Sequence, residues 1–203
     1  METHRVFTHF AEVDPILSSE MRKQGKVEGP TRSPDYFFSL VREIVSQQLS
    51  EKAGATILGR VLDLFPDRTP TPELVLALPP SRIRAAGPAW SKVSYLRNLS
   101  SAVSSGSLVF EHLDKLDDEE VICVLTKVKG IGRWTSEMFL MFSLGRPDVF
   151  SHGDGGLRRA IMNIYRCRKP PTQKTIERLT RRWSPYRTYA CRVLWNSLNT
   201  VSS

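Results

Sequence analysis

Apolar residues recur at three- and four-residue spacing along almost the whole chain of 203 residues, and strand-like alternation is scarce. This periodicity is typical of amphipathic α-helices, which bury their apolar faces against one another. Prolines and glycines divide the pattern into about ten segments. The sequence therefore predicts an all-α fold of about ten helices, and its length suits one large domain or two closely packed subdomains.

Several helix boundaries carry recognisable signals. Asp35 precedes a helix that should end near Gln48, and Ser50 is expected to cap a helix that runs to about Phe65. Asp117 and Glu120 have the spacing of a capping box. The remaining helices are predicted at about 72–78, 81–86, 91–104, 118–125, 134–144, 155–165, 172–183 and 187–199.

The composition argues against several classes of protein. Cys123, Cys167 and Cys191 lie far apart and form no CxxC pair, so a zinc site, an iron–sulfur cluster or a disulfide framework is not predicted. The sequence has no apolar run long enough to span a membrane and no signal for secretion. Reduced thiols in an intracellular compartment fit this pattern.

Positive charge is concentrated near the C-terminal end. The formal net charge is +8, but the segment 154–192 holds eleven basic residues and two acidic ones, a local +9 that leaves −1 for the rest. A solvated helical face would explain one charged run, but it explains this one-sided placement poorly. The distribution favours a polyanionic partner.

A short glycine-containing turn, Val128-Lys129-Gly130-Ile131-Gly132, lies between two apolar segments. Its two glycines let the backbone turn tightly and approach another surface closely, while Ile131 would anchor the turn on the protein. Gly132 leads into a helix whose first amides are unpaired and attract anions such as phosphate. An ordinary helix connection could also contain such a turn, but the following Arg133 and Thr135 favour a phosphate-binding hairpin.

Asp154 is a carboxylate at a predicted helix start, in the segment His152-Gly153-Asp154-Gly155-Gly156. It is also expected to cap the next helix, and a helix N-terminus favours a charged carboxylate. Asp148, six residues earlier, is predicted to be structural.

The sequence resembles a known family at three places. LTKVKGIGRWTSEMFLMFSLGRPDVF and SHGDGGLRRAI resemble the hairpin and catalytic segment of the helix-hairpin-helix (HhH-GPD) DNA glycosylase superfamily. LVREIVSQQLSEKAGATI resembles its 3-methyladenine DNA glycosylase II (AlkA-like) branch. The resemblance implies one glycosylase domain over 1–203. A central helical subdomain would span about 36–146, a second would combine 1–35 with 147–203, and a DNA-binding cleft would lie between them.

The resemblance also implies roles for individual residues. Asp154 would stabilise positive charge at the deoxyribose C1′ and position the attacking water. Gln48 and Leu49 would fill the gap left by the extruded nucleotide, although a polar pair such as Gln47-Gln48 is often merely solvated. The base pocket would be lined by Trp134, Trp195, Met138 and Tyr186, and DNA would be bound by Gln48, Leu49, Gly130, Gly132, Arg133, Thr135 and Gly155.

The pocket residues have an alternative interpretation. Trp134 and Trp195 could instead be core residues, and Met138 stands where the related enzyme has an aromatic residue.

The resemblance also bears on cofactors and on strand cleavage. In the family, main-chain carbonyls that match Thr126, Val128 and Gly130 hold a monovalent cation, Na⁺ or K⁺, that bridges to DNA phosphate, and no other cofactor is required. Bifunctional members carry a Schiff-base lysine at the position of Trp134, so the resemblance implies no lyase activity.

The sequence therefore predicts a monomeric, monofunctional glycosylase of base excision repair. It would flip alkylated purines, 3-methyladenine or 7-methylguanine, out of damaged double-stranded DNA and excise them by hydrolysis. Excision of hypoxanthine, ethenoadenine or uracil is the alternative within the enzyme class, and a non-catalytic DNA-binding module is the alternative outside it. Such a protein is expected in the cytoplasm, at the nucleoid, of a bacterium or archaeon, or in the nucleus of a eukaryote.

Overall fold

The computed structural model describes residues 2–25 and 27–199, and for residues 2 and 199 it describes the backbone only. Within these residues, all regular structure is helical, with twelve α-helices and two short 3₁₀-helices, at Pro66–Arg68 and Phe110–Lys115. The predicted all-α fold is confirmed. The α-helices are α1 (Glu2–Val13), α2 (Pro15–Gln24), α3 (Tyr36–Ser46), α4 (Glu51–Leu62), α5 (Pro72–Ala77), α6 (Pro80–Ala85), α7 (Trp90–Ser104), α8 (Asp118–Thr126), α9 (Arg133–Phe142), α10 (Gly155–Ile164), α11 (Gln173–Arg181) and α12 (Arg187–Asn199).

Helices α3 to α12 each match a predicted helix to within a few residues. The capping box is confirmed, because the Asp117 side chain accepts from the Glu120 backbone N–H at 2.8 Å and the Glu120 carboxylate accepts from the Asp117 N–H at 2.8 Å. The prediction of about ten helices omitted α1 and α2. Among the described side chains, each of these helices buries only two apolar ones, Val6 and Phe10 in α1 and Leu17 and Met21 in α2. So few apolar positions do not identify a helix from their spacing.

The chain divides into two compact units, Met1–Arg32 with Gly145–Ser203, and Ser33–Leu144. In the unit Ser33–Leu144, α3 packs against α4, α7 and α9, and α7 also packs against α5 and α6. Leu40 and Ile44 of α3, Leu99 of α7 and Phe139 of α9 are fully buried in its core. This unit carries the glycine hairpin, which joins α8 to α9.

The other unit brings together the two ends of the chain. Helices α10 and α12 pack together, α2 packs against both of them, and α1 packs against α2. Phe10, Leu17, Trp183 and Leu194 are fully buried in its core. This unit carries Asp154 at the start of α10.

Among the described residues, no helix is both long and apolar enough to cross a membrane.

Candidate active site

Asp154 is held by two hydrogen-bond donors at the beginning of α10. As predicted, it is the N-cap of this helix, and its Oδ1 accepts from the Leu157 backbone N–H at 2.7 Å. The same oxygen accepts from the indole Nε1–H of Trp195, at 3.2 Å. The residue is 9% exposed. These two bonds fix the carboxylate to both α10 and α12.

Trp195 lies on α12, 41 residues after Asp154 in the chain, and is half-buried. The sequence predicted Trp195 as a wall of the base pocket. The structure shows that its indole N–H also contacts the candidate carboxylate, which the sequence did not predict. Trp195 can therefore orient Asp154 as well as offer an aromatic surface.

Tyr186 lies in the same unit, just before α12, and is half-buried. Its ring contacts the ring of His9 edge-on at a centroid distance of 5.3 Å, and that of Tyr189 at 5.8 Å. His9 belongs to α1, so the N-terminal segment helps to support a predicted pocket residue.

The other two predicted pocket residues, Trp134 and Met138, lie on α9 in the unit Ser33–Leu144. Trp134 is 38% exposed, whereas Met138 is 4% exposed and lies on the buried face of the helix. The base-lining roles of both residues stay predictions.

In the hairpin between α8 and α9, the backbone conformation and the lack of space at position 130 both favour glycine. Gly130 has a φ of +111°, and a Cβ atom built there would lie 2.2 Å from Cγ of Tyr95. The Ile131 N–H donates to the Val128 carbonyl at 3.0 Å, and the Ile131 side chain is buried, as its predicted anchoring role requires. Gly132 is the N-cap of α9 and leaves the first turn of that helix without a side-chain cap. Phosphate binding at this helix N-terminus stays a prediction.

Gln47 connects the end of α3 to this hairpin. Its Nε2 donates to the Gly130 carbonyl at 3.1 Å and to the Thr135 hydroxyl at 3.0 Å. Thr135, a predicted DNA-binding residue, is 2% exposed, so it supports the hairpin from inside the unit. The sequence drew attention to the Gln47-Gln48 pair but did not predict this contact, because its partners are 83 and 88 residues away in the chain.

Gln48 and Leu49 are predicted to fill the gap left by the extruded nucleotide. They form a tight turn after α3, here called the wedge turn. Gln48 has a φ of +56°, and Leu49 is 38% exposed. Lys92 of α7 fixes the base of this turn, because its Nζ donates to the carbonyls of Val45 at 2.8 Å and Gln47 at 2.7 Å. Burial lowers the pKa of Lys92 below its ordinary value. No local pattern in the sequence marks Lys92, since a lysine on one helix can cap any nearby helix.

A cleft of about 410 Å³ separates the wedge turn from the hairpin within this unit. Its walls combine hydrogen-bonding side chains with the backbone of the hairpin. The lining residues are Gln47, Gln48, Ser91, Lys92, Tyr95, Gly130, Ile131 and Gly132.

Arg133, another predicted DNA-binding residue, is engaged by two carboxylates. Its Nη1 donates to Glu119 on α8 at 2.9 Å and its Nε to Glu137 on α9 at 3.0 Å, and its Nη2 also contacts Glu119. The Arg133 hydrogen bond lowers the pKa of Glu119. Arg133 therefore braces the two helices of the hairpin, and its side chain remains 58% exposed.

Two of the three carbonyls expected to hold a monovalent cation each accept a hydrogen bond within the protein. The Val128 carbonyl accepts from Ile131 and the Gly130 carbonyl from Gln47. A carbonyl oxygen has two lone pairs, so each of these carbonyls can accept once more. Among the described residues, no cluster of His, Cys, Asp and Glu side chains is suited to a metal ion.

Comparison with known proteins identifies the family. Residues 41–185 match the model of the HhH-GPD superfamily base excision DNA repair protein. The chain is 36% identical over 160 residues to DNA-3-methyladenine glycosylase 1 of Schizosaccharomyces pombe, a match that covers 78% of this chain and 70% of that protein.

Two solved structures have the same fold. The 3-methyladenine DNA glycosylase of S. pombe in complex with abasic DNA is 32% identical, with a TM-score of 0.89 over 96% of this chain and 97% of that one. DNA-3-methyladenine glycosidase from Bacillus halodurans is 39% identical, with a TM-score of 0.81 over 96% and 89% of the two chains. This chain belongs to the HhH-GPD superfamily of base excision DNA repair proteins, in its 3-methyladenine DNA glycosylase branch.

Proposed function

We propose that this protein hydrolyses the N-glycosidic bond of alkylated purines, such as 3-methyladenine and 7-methylguanine, in double-stranded DNA and leaves an abasic site. The observation that carries the proposal is the buried Asp154 carboxylate, held by the N-terminus of α10 and by Trp195. Relatives of this protein are named as DNA-3-methyladenine glycosylases, and one of them was solved in complex with abasic DNA.

Asp154 acts on the sugar in this proposal. As the bond from C1′ to the purine nitrogen breaks, its electron pair leaves with the base and positive charge develops at C1′, which the carboxylate stabilises. A water oxygen then bonds to C1′ and gives up its proton, with Asp154 positioned to receive it. The products are the free base and the abasic site.

Aromatic faces would hold the extruded base. An N-alkylated purine is cationic and already a good leaving group, so ring faces that attract cations suit it, at about 0.5–2 kcal/mol per contact. The half-buried indole of Trp195, which contacts Asp154, offers such a face. The turn at Gln48 and Leu49 would fill the space left in the duplex.

Replacement of Asp154 by Asn tests the proposal directly. Asn caps a helix as well as Asp does, so Asp154→Asn should fold normally while it removes the charge. We expect wild type to release 3-methyladenine or 7-methylguanine from methylated duplex DNA, and the variant to lose at least about a hundredfold in rate. Asp67→Asn, at an exposed position in the 3₁₀-helix Pro66–Arg68, is the matched control.

Two outcomes would contradict the proposal. If wild type binds DNA but releases no base from methylated DNA or from duplexes that contain hypoxanthine, ethenoadenine or uracil, the protein is a binding module. If Asp154→Asn retains the wild-type rate, another group performs the chemistry.

We propose further that the protein does not cleave the DNA strand. The residue that follows Gly132-Arg133 is Trp134, whose indole cannot form a Schiff base with the sugar. Treatment with borohydride in the presence of abasic DNA should therefore leave no covalent complex. A trapped complex of protein and DNA would overturn this part of the proposal.

The hairpin carbonyls of Thr126, Val128 and Gly130 would hold a Na⁺ or K⁺ ion when DNA is bound. Such an ion would neutralise charge between the backbone and a phosphate, and it takes no part in bond breaking. DNA affinity should fall when K⁺ is replaced by choline at constant ionic strength. Equal affinity in the two salts would exclude the ion.

A further inference from the structure

Gly156 lies beside the contact between Asp154 and Trp195. It is the second residue of α10, half-buried under these two side chains. A Cβ atom built on Gly156 would lie 3.0 Å from Oδ1 of Asp154 and 3.4 Å from both Cδ1 and Nε1 of Trp195. The distance of 3.0 Å to Oδ1 is shorter than an ordinary van der Waals contact, whereas the two distances to the indole are ordinary contacts. The smallest side chain would therefore displace the carboxylate by a few tenths of an ångström.

The helix itself does not require glycine at this position. Gly156 lies inside α10, where the backbone conformation suits any residue. Glycine in a helix costs about 0.5–1 kcal/mol relative to alanine, because it loses more backbone freedom on folding. The use of glycine here is therefore explained by the space beside the carboxylate.

That space matters because two hydrogen bonds converge on the same atom of Asp154. Oδ1 accepts from the Leu157 N–H at 2.7 Å and from the Trp195 Nε1–H at 3.2 Å. A methyl group pressed against Oδ1 would move this atom and lengthen one of these bonds. The longer bond, from Trp195, is the one more easily lost.

We propose that Gly156 is a positioning residue for catalysis. It keeps open the space in which the Trp195 indole reaches Asp154, and so sets the direction of the carboxylate towards the reacting sugar. This inference rests on the proposed glycosylase function of Asp154.

The first test compares Gly156→Ala with wild type on methylated duplex DNA. We expect the single-turnover rate of base release to fall about tenfold, since small errors in position cost orders of magnitude in rate. Affinity for undamaged DNA should change by less than about twofold. Gly153→Ala is the control, because Gly153 is exposed, immediately precedes Asp154 and has no atom within 4 Å of a built Cβ.

Thermal unfolding separates positioning from damage to the fold. Gly155→Ala, in the same helical turn with open space around its Cβ, reports the stability that alanine adds to α10 alone. Gly156→Ala should unfold within a few degrees of Gly155→Ala and still excise slowly.

A double-mutant cycle with Trp195→Phe tests whether Gly156 acts through the hydrogen bond from Trp195 to Asp154. Phenylalanine lacks the indole N–H, so a shift of Oδ1 no longer costs that bond. Gly156→Ala should therefore cost less than about twofold in rate when Trp195 is already Phe, against about tenfold in wild type.

A duplex that carries a cationic azasugar at the abasic position provides a binding readout. It imitates the charge that develops at C1′, so wild type should bind it more tightly than a duplex with a neutral tetrahydrofuran at that position. Gly156→Ala should lose most of this preference, whereas Gly153→Ala should retain it.

The outcomes distinguish this inference from the proposed function. If wild type releases base and Gly156→Ala matches it in rate and in preference for the cation, the inference fails alone. It also fails if the alanine costs the same factor in both Trp195 backgrounds. If wild type releases no base, the proposed function fails and this inference falls with it.

Discussion

Two glycines near the candidate site are required for different physical reasons. Gly130 has a φ of +111°, which L-residues rarely adopt, and its Cα lies against the ring of Tyr95. Gly156 has ordinary helical geometry, and a Cβ atom there would press on the side chain of Asp154. A glycine that shapes the backbone and one that makes room for other groups look alike in the sequence.

Replacement of Gly130 by Ala should destabilise the hairpin strongly. The new methyl group would combine an unfavourable φ with severe overlap on Tyr95, so we expect a loss of about 2–4 kcal/mol in the free energy of unfolding. Gly132→Ala is the control for stability, because Gly132 has a φ of −95° and no atom within 4 Å of a built Cβ. Urea unfolding measures the free energy of unfolding of both variants. Equal values would contradict the need for glycine at position 130.

At the scale of elements, two polar clusters join segments that are distant in the chain. Asp14, the N-cap of α2, is 2% exposed and accepts from the Tyr165 hydroxyl at 2.7 Å and the Trp183 Nε1–H at 2.8 Å. Burial, together with the Asp14 carboxylate, raises the pKa of Tyr165. This cluster attaches the N-terminal helices to the C-terminal part of the same unit.

The second cluster joins the segment after α9 to the beginning of α12. The Asp148 carboxylate accepts from the Arg187 backbone N–H at 3.2 Å, from its Nε at 2.7 Å and its Nη2 at 3.1 Å, and from the Ser184 hydroxyl at 2.7 Å. Burial alone would raise the pKa of Asp148, but hydrogen bonds from Arg187 and Ser184 outweigh it and lower the pKa. The structural role predicted for Asp148 follows from these contacts.

Asp148→Asn should destabilise the protein in a pH-dependent manner. Because the folded state lowers the pKa of Asp148, its charge stabilises the fold above the ordinary value of 3.8 and stops doing so as the pH falls through the lower folded value. We expect a loss of about 1–2 kcal/mol at neutral pH, since the pair is partly exposed, and a smaller loss below about pH 3. Urea unfolding at both pH values measures this, and a pH-independent difference would exclude the charge as the cause.

At the scale of the whole molecule, positive charge is distributed unevenly. The +9 segment at 154–192 belongs to the unit that carries Asp154, and some of its arginines are engaged within the protein, as Arg187 is by Asp148. Others, including Arg178 and Arg181 on α11, are exposed. Exposed charge of this kind raises affinity for DNA without reading its sequence.

DNA affinity should therefore depend steeply on salt. We expect it to fall about a thousandfold between 50 and 200 mM KCl if about six phosphates are contacted. Arg178→Ala with Arg181→Ala should make the dependence shallower, by up to about two units in the slope of log affinity against log salt. Arg60→Ala with Arg82→Ala, exposed in the other unit, serves as the control. An equal effect of the two pairs would contradict a localised basic surface.

Local signals account for the parts of the site that the sequence predicted. The capping box at Asp117, the cap at Asp154 and the buried Ile131 each depend on residues within a few positions of one another. The contacts of Gln47 and Lys92 were not predictable, because each joins elements more than forty residues apart. Helices α1 and α2 were missed because each buries only two apolar side chains among those described, too few for their spacing to identify a helix.

The sequence by itself determined that the chain is helical, where most helices begin and end, that a glycine hairpin precedes a helix without a side-chain cap, and to which family the chain belongs. These features depend on residue spacing, caps and turns, which act over a few residues. Only the tertiary structure decided which side chains meet: that Trp195 donates to Asp154, that Gly156 leaves room for this bond, and that Gln47 holds the hairpin. Such contacts depend on how helices pack, and packing brings together residues that no local pattern connects.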